Sequence, residues 1–101
     1  MPFGYCLDAC DPDPFSSSTT VAYGLPRISD VTLEVCGDRG ERVRLLVDGT
    51  QDAGEYAVQW DGASDGGMAI PDGTYRLRLT AHTASGRACI QTRSVTLRRH
   101  S

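Results

Sequence analysis

Residues 54–82 read GEYAVQWDGASDGGMAIPDGTYRLRLTAH. Tyr56, Val58 and Trp60 recur at every second position before the central stretch. After it, Tyr75, Leu77, Leu79 and Ala81 alternate with Arg76, Arg78, Thr80 and His82. A period of two places alternate side chains on opposite faces of an extended chain and predicts two half-buried strands. The stretch between them, Trp60 to Tyr75, holds three acidic residues, several glycines and a proline. It reads as an elaborate turn. Trp60 ends its strand facing inward and plugs one end of a sandwich. Asp61 accepts backbone N–H groups as the chain departs. Gly66-Gly67 and then Pro71 and Gly73 reverse it, and Tyr75 re-enters the core. A calcium loop using Asp61, Asp65 and carbonyls is the weaker alternative, because calcium wants about six to eight oxygens and the spacing matches no known cage. A phosphate cradle would have to open a helix, and no helical period follows.

The same alternation extends outward. Val21, Tyr23 and Leu25 share one side of TTVAYGL. Val31, Leu33 and Val35 share one side of SDVTLEVCGD, and Val95 and Leu97 one side of RSVTLRR. In ERVRLLVDGT, Val43 and Leu46 are out of phase, which predicts a bulge. Turn-forming clusters such as Asp48-Gly49, Asp52-Ala53-Gly54 and Ser85-Gly86 separate the strands. No stretch sustains a helical period. The fold class is therefore all-β, an antiparallel β-sandwich of immunoglobulin or fibronectin type III kind. Residues 1–18, with three prolines and Ser16-Ser17-Ser18, read as an irregular N-terminal arm before a sandwich domain at 19–101.

A chain of 101 residues fits one small domain. A net charge of −3 argues against a nucleic-acid binder. No apolar run reaches the about 18 residues that span a bilayer. The N-terminal MPFGYCLDAC shows neither the charged nor the hydrophobic region of a signal peptide. Every basic residue is arginine, and with no asparagine there is no N-glycosylation acceptor. The four cysteines, Cys6, Cys10, Cys36 and Cys89, leave three readings: a disulfide with Cys6 and Cys10 as its first candidates, a metal site, or free thiols. The Cys-x3-Cys spacing fits no zinc knuckle, so no metal ligands are assigned.

The quoted stretch and its surroundings resemble the immunoglobulin-like domain of the flagellar hook-capping protein FlgD. They are equally similar to the C-terminal domains that act as type IX secretion sorting signals. The shared pattern runs through Tyr23, Leu25, Pro26, Val31, Leu33, Val35, Gly40, Val43, Leu46, Gly54, Trp60, Asp61, Gly62, Gly67, Pro71, Gly73 and Tyr75. Cys36 stands where the family usually has an aromatic. PDPFSSSTTVAYGLP is similar to the opening of sorting-type domains, with Asp13, Ser16 and Ser17 as departures, and TRSVTLRR to their basic end. Coverage runs from about residue 12 to residue 99.

No catalytic residues are assigned. Ser16, Ser17 and Ser18 lack a paired base, and His82 and His100 stand apart. The resemblance implies a non-enzymatic structural or interaction module without cofactor or small-molecule substrate. Its expected role is a small accessory subunit of a larger periplasmic or cell-surface complex, touching a membrane only through its protein partners. The alternative is a sorting domain trimmed from a larger secreted protein. Two surfaces are candidates for partner binding. One is the arm, through Phe3, Tyr5, Leu7 and Phe15, unless the arm folds back and Phe15 covers an open end of its own sandwich. The other is a sheet edge. Arg76, Arg78, Arg87, Arg93, Arg98 and Arg99 form either a solvated face or a basic docking surface.

Overall fold

The computed structural model describes residues 5–99. Seven strands form: β1 (Cys6–Leu7), β2 (Thr19–Leu25), β3 (Ser29–Cys36), β4 (Arg42–Gln51), β5 (Gly54–Trp60), β6 (Gly73–His82) and β7 (Ala88–Leu97). They make two antiparallel sheets, one ordered β1-β2-β5 and the other β4-β3-β6-β7. The architecture is the expected β-sandwich.

The inward phase of each strand follows the sequence alternation. Val21, Tyr23, Leu25, Val31, Leu33, Val35, Trp60, Leu77 and Leu79 are all buried. Tyr75 packs against this core but remains half-buried, because its hydroxyl reaches out to donate to the Pro71 carbonyl. The phase break in β4 is a double bulge. Leu33 faces Val47 but Glu34 faces Leu45, so Leu46 is the extra residue; Val35 faces Arg44 but Cys36 faces Arg42, so Val43 is the second. Each bulge adds a residue against one partner and twists the strand locally.

The N-terminal segment departs from expectation. Its described part is not an irregular arm beside a separate domain. Cys6 and Leu7 pair with Gly24 and Tyr23 of β2, Asp11 bridges Thr20, and Phe15 makes a parallel bridge to Leu97 on the other sheet. Leu7, Cys10 and Phe15 belong to the same hydrophobic core as the strands, so no boundary at residue 18 divides it. The segment has too few apolar groups for a core of its own, and the sandwich supplies one.

Candidate functional site

The Trp60–Tyr75 loop is held from three sides. The Trp60 indole lies between Phe15, at 5.3 Å between ring centroids, and Tyr75, at 5.8 Å and edge-on. Its Nε1–H donates to the Ala63 carbonyl at 3.0 Å. Asp61 accepts the Ala63 N–H at 3.1 Å, the local role expected of it. From the β4 side, the Asp65 N–H donates to the Val43 carbonyl at 2.9 Å, and its Oδ1 accepts the Leu45 N–H at 2.8 Å. Arg44 donates to the Ser64 carbonyl at 3.1 Å. From the C-terminal side, Arg99 forks to the Ile70 carbonyl at 2.7 Å and the Gly62 carbonyl at 2.9 Å. Asp72 accepts the Arg99 N–H at 2.9 Å. Gly62 has φ +74°, and a Cβ there would stand 2.7 Å from Arg99 Nη2. Glycine is required twice over, for the backbone angle and for the close approach.

These contacts decide what the loop does chemically. Asp61, Asp65 and Asp72 each accept a backbone N–H group, and Arg44 and Arg42 lie 3.7 and 3.5 Å from Asp61 and Asp65, so these carboxylates help to build the turn and tie it to its neighbours. Among the described residues no cluster of three or more metal-ligating side chains converges.

The partner-binding candidates divide. Leu7 and Phe15 are buried in the chain's own core and offer nothing to another chain. This corrects the docking expectation for both, and Phe15 covers the end of the sandwich beside Trp60 instead. Tyr5 packs half-buried against the core, its hydroxyl 2.9 Å from Ser29 Oγ. Phe3 lies outside the described residues. The segment is fastened by side chains of β7. Gln91 accepts the Leu7 N–H at 2.9 Å and donates to the Tyr5 carbonyl at 2.6 Å, while Arg93 donates to the Leu7 carbonyl at 2.7 Å. Nothing in the local sequence around Gln91 signals this role; the residues it joins are 84 and 86 positions away.

The four cysteines are free thiols, Cys6 exposed and Cys10 buried, so the expected Cys6–Cys10 bridge is corrected. Alternation is the reason. Leu7 takes the inward position on β1, which turns its neighbour Cys6 outward, while Cys10 drops into the core. Burial, and then the nearby Asp13 charge, push the Cys10 thiol up to about 11. The six C-terminal arginines do not act as one surface. Arg78 pairs with Glu34, which raises its pKa through the hydrogen bond. Arg93 and Arg99 hold backbone carbonyls, as described. His82 is exposed on β6.

The FlgD Ig-like domain family model matches residues 15–85. FlgD from P. aeruginosa is 28% identical, with a TM-score of 0.63 over 78% of this chain and 61% of that chain. FlgD from Xanthomonas campestris, a structure described as bearing on the hook capping essential for flagellar assembly, is 20% identical. Its TM-score is 0.59 over 91% of this chain and 67% of that chain. CopC from Methylosinus trichosporium OB3b is 13% identical, with a TM-score of 0.52 over 93% of each chain. The last two share the fold alone. The chain spans less than two thirds of the P. aeruginosa protein. No curated protein matches.

Proposed function

This chain belongs to the FlgD Ig-like domain family, and from that premise we infer that it is a non-enzymatic structural module working inside a larger protein assembly. Its place there is that of a small accessory subunit of a periplasmic or cell-surface complex, bound to other protein chains. The observation that carries this reading is the family match over residues 15–85. The loop richest in carboxylates supports it, since its acids accept backbone N–H groups that hold the turn. With Leu7 and Phe15 in the core, the binding surface moves from the N-terminal segment to the sheet edges or loops of the sandwich.

The test is a tagged copy at the native locus, extracted under mild conditions and sized. The reading expects the chain in a species containing at least one other protein, in the periplasmic or surface fraction. Recovery only as one or two copies of a 10.9 kDa chain overturns it. Detection only inside a longer secreted precursor supports the sorting-domain reading instead.

A further inference from the structure

Among the described residues the two sheets have four edge strands, β1, β5, β4 and β7; β1 and β4 are protected, and β7 is protected at its C-terminal end. β1 is covered by the Gln91 and Arg93 side chains of β7, which occupy the Tyr5 and Leu7 backbone groups. Further along β7, Phe15 donates to the Thr96 carbonyl at 3.0 Å and Asp13 accepts the Thr96 N–H at 2.9 Å. β4 breaks its edge with two bulges and is capped at Val43 and Leu45 by Asp65. Bulges, covering segments and short edges are the usual means of blocking edge-to-edge pairing.

β5 has none of these devices. It pairs with β2 over all seven residues, Gly54 to Trp60, without a register break. Among the described residues nothing is hydrogen-bonded along its outer side. It contains no proline, no basic residue and one acid, Glu55. Glu55, Ala57 and Gln59 are exposed, while Tyr56 and Val58 are half-buried and pack against the core. A straight, unbroken edge with a partly open apolar row beneath it is a template for another strand.

We propose that β5 is a self-association edge, pairing antiparallel with β5 of a second copy about a two-fold axis through Ala57. The register follows from the sequence of the edge. Centred on Ala57, the whole strand overlaps, and Glu55 stands opposite Gln59 of the second copy, an amide able to donate to the carboxylate. Tyr56 stands opposite Val58 of the second copy on the core side, an aromatic and β-branched cross-strand pair. Centring on Glu55 would set two carboxylates face to face, and centring on Val58 would set Glu55 against Asp61. A two-fold contact of this kind is isologous and closes on itself, so it stops at a dimer. The proposal does not depend on the accessory-subunit reading, because the purified chain alone tests it.

Sedimentation equilibrium of the purified chain over a concentration series, with a thiol reductant to keep the exposed Cys6 from cross-linking, should show a reversible monomer–dimer equilibrium. Gln59→Glu opposes two carboxylates on each side of the axis without touching the core. It should raise the dimer dissociation constant roughly tenfold at low salt, with the thermal melt of the monomer unchanged. Glu55→Arg combined with Gln59→Glu makes each pair opposite in charge and should restore the dimer. A chain that stays monomeric at every concentration overturns the proposal. So does a dimer indifferent to Gln59→Glu, or one that the double variant fails to restore.

Discussion

Trp60→Ala removes the side chain on which three parts of the molecule meet. The indole is fully buried. It touches Phe15 of the N-terminal segment and Tyr75 at the start of β6, and its N–H holds the loop at Ala63. Truncating a buried large aromatic costs about 3–5 kcal/mol from lost transfer energy and the residual cavity. Each aromatic contact contributes about 0.5–1.5 kcal/mol beyond burial, and the indole hydrogen bond a net of about 0.5–1.5 kcal/mol. With three such contacts the cost belongs at the upper end of the range. A domain of this size has a stability of about 5–15 kcal/mol, so the variant should fold but melt far earlier. Trp60→Phe keeps a ring against both neighbours and loses the donor and part of the surface, for about 1–2 kcal/mol. Urea unfolding followed by far-ultraviolet circular dichroism measures both, since the chain's single tryptophan is lost in each variant. A Trp60→Ala cost below about 1 kcal/mol, or equal costs for the two variants, would refute the reasoning.

Asp65→Ala frees the Leu45 N–H and uncovers that part of the β4 edge. Stability should fall by about 1 kcal/mol, and hydrogen exchange at the Leu45 amide should accelerate. Arg99→Lys cannot bridge the Gly62 and Ile70 carbonyls with one fork. About 1 kcal/mol of stability should go, with faster exchange along residues 62–72 and an unchanged far-ultraviolet spectrum. Cys10 ionises near pH 9.0 when unfolded and at about 11 when folded. Its contribution to stability is therefore complete below about pH 9 and is lost as pH rises toward 11. Denaturant titrations across that window should show the decline, and Cys10→Ala should lessen it, the remainder coming from Cys36, Tyr23 and Tyr75, which burial also raises. Melts with calcium and with a chelator should coincide, because among the described residues no three metal-ligating side chains converge; a chelator-induced loss of several degrees would overturn this.

Strand phase was decided by the sequence alone, because a period of two is a local property that sheet geometry cannot shift without exposing a whole face. Val21, Tyr23 and Leu25, Val31, Leu33 and Val35, and Leu77 with Leu79 could be assigned inward for that reason, and all are buried. A bulge in β4 was legible for the same reason in reverse, and the structure makes it two. Val43 and Leu46 break the phase, and these are the residues left without a register partner. The turn character of Trp60–Tyr75 was legible from residue types that favour reversals. Tertiary structure alone decided what covers what. A few apolar residues on a short segment show that something must bury them, but whether that is another chain or the segment's own sandwich depends on which surfaces lie nearby. Leu7 and Phe15 meet their own core. The bonds from Gln91 to Leu7, Asp65 to Leu45 and Arg99 to Gly62 join residues 84, 20 and 37 positions apart, beyond the reach of any local pattern. Which strands stand at the edges is likewise a property of strand order, and strand order is set by packing two sheets face to face, so the open side of β5 exists only in the folded chain.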